Sequence, residues 1–87
     1  MVKEYAFHSD AGHAWLEVAI DEIKELGIEN KITTYSYMND GFVYLEEDVD
    51  ASTFIKALKE KYGDDLEIII NEQYQERSFI RALPYYK

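Results

Sequence analysis

The feature that most constrains this chain is Asn39-Asp40-Gly41, a turn signal set between two runs that read as strands. From Lys31 to Met38 the residues alternate, with Ile32, Thr34 and Ser36 on one side and Thr33, Tyr35 and Tyr37 on the other. Such a period of two belongs to a pleated strand. Asp-Gly between alternating runs is a strong short-range hairpin signal, and Phe42 to Glu46 supplies the returning strand. A lone hairpin is barely stable in water. The rest of the chain must therefore extend the sheet and cover it.

Upstream, Val2 to His8 reads as a first strand with Tyr5 and Phe7 on one face, and Ser9-Asp10-Ala11-Gly12 reads as a turn. The next segment has two readings. Trp15, Leu16, Ala19, Ile20, Ile23 and Leu26 fit the stripe of one long helix from about residue 14. Alternatively, His13 to Val18 is a strand that closes a hairpin on the first, and a shorter helix starts near Ala19. The hairpin is preferred. It places Asp21 and Glu22 in the first helical turn, where the helix dipole favours acids, and it puts Trp15, Leu16 and Val18 on a pleated surface. Gly27 ends the helix in either case.

Downstream, Asp50 or Ser52 can cap a second helix running to about Tyr62, with Phe54, Ile55, Leu58 and Tyr62 as its apolar stripe and Gly63 at its end. Leu66 to Tyr74 is a final, isoleucine-rich strand, expected at the centre of the sheet. The tail holds Phe79, Ile80, Leu83, Tyr85 and Tyr86, too many apolar groups to stay in water. They pack on the domain or on a partner. The expected architecture is α+β: a small, mostly antiparallel sheet of four or five strands with two helices on one face. Its order is ββαββαβ, with a ferredoxin-like βαββαβ as the alternative.

Composition bounds the function. At 87 residues without a Pro/Gly/Ser linker, residues 1–87 read as one α+β domain. Hydrophobic residues make up 47% of the chain and aromatic residues 15%, which supplies a core. There is no cysteine, so neither disulfides nor thiolate metal sites are open to it, and a cytoplasmic location fits. No secretory h-region is evident, and the longest apolar runs fall far below the roughly 20 residues of a membrane span. A net charge of −9 opposes direct nucleic-acid binding and favours a basic partner, a cation or simple solubility.

Four groups of residues carry candidate chemistry. His8, Asp10 and His13, within six residues, can hold a divalent metal or act as an acid–base pair; a plain turn, with Asp10 bonding its own backbone and Gly12 at positive φ, is the simpler reading. Glu46, Glu47, Asp48 and Asp50 form one acidic run, and Asp64, Asp65 and Glu67 another. The stretch from Asp40 to Glu72 carries ten acids and three lysines, enough to occupy a basic groove. It lacks the calcium-loop pattern. Tyr35, Tyr37 and Tyr44 fall on the central hairpin, as core or as a flat recognition surface. Arg77 and Arg81 can bind an anion or pair with the chain's own acids. Neither a nucleophile constellation nor a phosphate-cradling glycine motif is present, so catalysis and a cofactor are not expected.

Four stretches, His8-Ser9-Asp10-x-Gly12-His13-x-Trp15-Leu16, Tyr35-Ser36-Tyr37, Val43-Tyr44-Leu45-Glu46-Glu47-Asp48-x-Asp50-Ala51 and Ser78-Phe79-Ile80-Arg81, resemble a family of small uncharacterised proteins of phages, prophages and mobile elements. The resemblance brings no catalytic residues. It implies a setting in which many small, acidic, cysteine-free proteins look like inhibitors of host defence. Nine basic residues remain, which favours a discrete binding patch over full nucleic-acid mimicry. The expected function is thus a non-enzymatic interaction protein that binds a basic host nucleic-acid-handling protein through Glu46–Asp50, Asp64–Glu67, Tyr35 and Tyr37. A ligand- or metal-binding domain at the His8–His13 turn and a homodimer built from edge strands and tail are the alternatives.

Overall fold

The computed structural model describes residues 1–86. Strands β1 (Val2–Ser9) and β2 (Ala14–Ala19) form the first hairpin, and helix α1 (Ile20–Glu25) follows directly. Strands β3 (Tyr37–Asn39) and β4 (Phe42–Glu46) form the second hairpin, then helix α2 (Asp50–Tyr62) and strand β5 (Glu67–Tyr74). The order is ββαββαβ, so the single long helix from residue 14 is not formed. The five strands lie in the order β3-β4-β2-β1-β5, antiparallel except for the parallel pair β1·β5.

Strand alternation gives the sheet two different faces. On one, Tyr5, Leu16, Val18, Val43 and Leu45 meet Ile23 of α1 and Phe54 and Leu58 of α2 in the main core. On the other, Trp15 and Tyr44 pack with Ile80 of the C-terminal segment, flanked by Tyr37 and Leu83. That segment answers the question of the apolar tail: it folds back onto the domain. A short 3-10 turn (Phe79–Ala82) buries Ile80. Met38 then donates its backbone N–H to the Pro84 carbonyl, and Tyr85 bridges to Tyr37 along the β3 edge. Tyr86 re-enters the main core and donates its hydroxyl to the Glu29 carbonyl at 2.7 Å.

Three expectations are corrected. The strand drawn from Lys31 to Met38 is only Tyr37–Asn39. A 3-10 turn occupies Glu29–Lys31, and Thr33 to Ser36 form a turn held by the Asp50 carboxylate. Asp50 is not the α2 cap: Glu46 accepts from the Asp48 and Val49 amides at 2.7 and 2.9 Å instead, and Asp50 is buried. β5 is an edge strand, because β1 spends its other side on β2. The second hairpin forms where Asn39-Asp40-Gly41 signalled it, with Gly41 at positive φ (89°).

α1 has no side-chain cap. A polar contact ties it to the sheet: Tyr5 donates its hydroxyl to Glu22 at 2.5 Å, and Lys3 pairs with the same carboxylate at 3.2 Å. Burial pushes the Tyr5 phenol well above its ordinary range, and the Glu22 carboxylate raises it further. A neutral acid whose folded value is raised stabilises the fold below its unfolded value, about 10, and loses that contribution as pH climbs past it. We expect unfolding by urea to become easier above about pH 10, and Tyr5→Phe to flatten that alkaline limb. An unchanged limb in Tyr5→Phe would refute the assignment. Among the described residues no helix is long and apolar enough to cross a membrane.

Candidate functional site

The site lies on the sheet face that the helices leave open. β2 projects Trp15 to this face because its neighbours Ala14 and Leu16 are turned the other way by the pleat. The register places Tyr37 directly opposite Tyr44 on the same face. Tyr44 is buried, Tyr37 is half-buried, and Tyr35, in the turn before β3, is 73% exposed. The tyrosines thus divide between core and surface. Tyr37 stacks on Tyr85 with centroids 5.1 Å apart and meets Trp15 edge-on at 6.1 Å.

Glu46 ends β4 beside Trp15, its register partner. Together His13, Trp15, Tyr35, Tyr37, Glu46, Asp48, Val49 and Arg81 line an open cavity of about 400 Å³. Burial works against ionised Glu46, but the amides of Val49, Asp48 and Asp50 outweigh it and hold the carboxyl below its ordinary value. Glu46 is therefore a fixed negative charge. Asp48 beside it is exposed.

The cavity's far wall depends on Asp10. Its carboxylate accepts from the Gly12 and His13 amides at 3.0 Å each, from the Ser78 amide at 3.2 Å, and from Arg81 Nε and Nη2 at 2.6 and 2.9 Å. Residues 10 and 81 lie at the two ends of the chain, so this one side chain fastens the first turn to the C-terminal segment. The fork sets the Arg81 guanidinium over the Trp15 ring, 5.5 Å from its centroid. Gly12 does not take positive φ, contrary to expectation. A Cβ there would stand 3.1 Å from Arg81 Nη2, so the glycine makes room for the ion pair.

The predicted site residues fall into separate places. His8, Asp10 and His13 do not converge. His8 Nε2 lies 3.1 Å from Glu17 Oε1, with its ring between Tyr44 and Phe79, while Asp10 is taken up by Arg81 and three amides. Among the described residues no three His, Asp or Glu side chains form a metal-holding group. Asp50, predicted to contact a partner, is fully buried and cannot reach one. Glu46, Glu47 and Asp48 sit at the sheet end where β1 finishes, whereas Asp64, Asp65 and Glu67 sit where β1 begins. An eight-residue strand, roughly 25 Å long, separates the two acidic runs. Of the predicted partner-contact residues, Tyr35, Tyr37, Glu46 and Asp48 share this cavity, and His13 of the predicted metal group lies in its wall with them. Trp15 and Arg81 complete it. The sequence reads Trp15 as a sheet residue and Arg81 as a cation that binds an anion or pairs with the chain's own acids, and nothing in the chain's linear order joins them. Searches of family models, curated proteins and solved structures return no match to this chain.

Proposed function

We propose that the chain is a non-enzymatic interaction protein that takes a basic side chain of a host nucleic-acid-handling protein into the Trp15–Tyr35–Tyr37 cavity and so inhibits that protein in the cytoplasm. The observation that carries this reading is the cavity's composition: aromatic walls beside Glu46 and Asp48, with its one guanidinium, Arg81, already neutralised by Asp10. Aromatic faces and carboxylates both attract a lysine or arginine head group. Tyrosine and tryptophan give large, rigid contact area at interface hot spots. The charge of −9 adds a long-range field that draws basic proteins and repels nucleic acid. The second acidic run, Asp64–Glu67, belongs to a different surface and is not part of this contact.

The test is capture from a bacterial lysate on tagged protein, eluted with salt. A basic nucleic-acid-handling protein should be retained at low salt and released as screening grows. Tyr35→Ala and Asp48→Lys touch only exposed side chains and should each weaken retention, by roughly tenfold. A column that retains no basic protein, or a captured protein indifferent to both substitutions, would refute the proposal.

A further inference from the structure

β5 is a long, open edge. Its odd residues face β1: the Glu67 amide donates to the Met1 carbonyl at 2.8 Å and the Gln75 amide to the Ser9 carbonyl at 3.0 Å. The alternation of a strand then turns the N–H and C=O groups of Ile68, Ile70, Glu72 and Tyr74 outward. Edge strands are commonly guarded by lysine, proline or a bulge. β5 carries neither residue, and its register with β1 runs without interruption from Glu67 to Tyr74. It also leaves apolar groups in water, with Ile70 45% and Tyr74 63% exposed. Beside it on the helix face, Phe7, Leu16, Ile55, Leu66, Ile68 and Ile70 line an open groove of about 480 Å³, with Lys59 on its wall.

We infer that β5 pairs antiparallel with β5 of a second copy, about a two-fold axis through Ile70, joining two five-stranded sheets into one. An isologous contact requires the strand to complement itself, and this register does. On the helix face Ile70 meets the partner subunit's Ile70, Leu66 meets the partner subunit's Tyr74, and Ile68 meets the partner subunit's Glu72. On the other face Ile69 meets the partner subunit's Asn71. No glutamate faces a glutamate. The charge fits as well. Lys59 makes no ion pair within its own chain among the described residues, and it stands on the groove wall beside Ile68, where the partner subunit's Glu72 arrives. The interface thus closes both open edges, covers both grooves and forms two symmetric Lys59–Glu72 pairs.

Sedimentation of the full chain over a concentration series tests this. The wild type should reach twice the chain mass. Its association should tighten with added salt, because screening relieves repulsion between two chains of charge −9. The basic-partner contact proposed above weakens with salt, so the two readings fail separately. Ile70→Lys and Lys59→Glu should each sediment as folded monomers, with circular dichroism as the check on folding. Lys59→Glu combined with Glu72→Lys should restore the dimer. A wild type that stays monomeric up to about 1 mM, weaker than typical stable dimers by orders of magnitude, overturns the inference. So does a dimer that survives Ile70→Lys.

Discussion

Asp10→Ala will lower the melting temperature by on the order of ten degrees or more and will open the C-terminal segment to proteases. The side chain accepts five hydrogen bonds, two from a guanidinium and three from amides, and its own exposure is 1%. Truncation leaves all five donors without their acceptor, the buried Ser78 amide among them, and a buried donor stripped of its partner is the costly case. It also cuts the side-chain hydrogen bonds that tie the first turn to residues 78–81, which cover Trp15 and Tyr44. Limited proteolysis should therefore cut near residues 75–78 in the variant and not in the wild type. The same node sets the acid limb of stability. The Arg81 guanidinium holds the Asp10 carboxyl well below the usual carboxylate range; burial opposes this, and the Gly12, His13 and Ser78 amides reinforce it. A depressed folded value contributes stability above the unfolded value of about 3.9 and loses it as pH falls further. Stability should thus decline from about pH 4 downward, and Asp10→Asn should flatten that decline while lowering the plateau. Arg81→Lys will not rescue the site, because an ammonium cannot supply the two-pronged contact or lie flat over Trp15. A wild-type melting temperature in Asp10→Ala would refute this account.

Local patterns reached the fold but not the site, and the reason lies in range. The two hairpins, both helices and their order were legible because each rests on neighbours in sequence: Asp40-Gly41 in one turn, the alternation around Tyr5 and Phe7, the stripe of Phe54, Ile55 and Leu58. Even the choice of strand over helix for His13–Val18 rested on local cues, the first-turn acids Asp21 and Glu22. What failed was set by distant partners. β5 looked central from its isoleucines, yet its place depends on which side of β1 is free. Lys31–Ser36 alternates like a strand, but Asp50 gathers Thr33 and Ser36 into a turn. The cavity draws on residues from His13 to Arg81 and exists only once the tail has crossed the sheet. The acidic runs were visible as charge. Their separation to opposite ends of β1 was not, since sequence distance says nothing about which end of a sheet a loop returns to.

Asp50 is where the two views differ most, and Asp50→Ala should cost about 3 kcal/mol. As a residue in a run of acids it reads as a solvent-facing contact or a cap. In the fold its exposure is 0%, and Oδ2 accepts from the Thr33 amide at 3.0 Å, the Thr33 hydroxyl at 2.7 Å and the Ser36 hydroxyl at 2.5 Å. Ser36 in turn accepts the Glu46 amide at 3.0 Å, so the network links the first turn of α2, the approach to β3 and the end of β4. Alanine strands three donors and leaves a void under the Tyr35 turn. Asparagine should cost less, about 1 kcal/mol, because it can keep one oxygen on those donors while its amide nitrogen takes the place of Oδ1, which has no partner among the described residues. Urea unfolding measures both, and a loss below about 1 kcal/mol for alanine would sink the network as a source of stability. The functional consequence separates two roles for an acid in one run. Asp48→Lys should weaken partner capture with little change in stability, since Asp48 is exposed. Asp50→Asn should lower stability while the folded fraction binds as the wild type does. A folded Asp50→Asn that loses its partner would mean that the Tyr35 turn is shaped by Asp50 for binding and not only held by it.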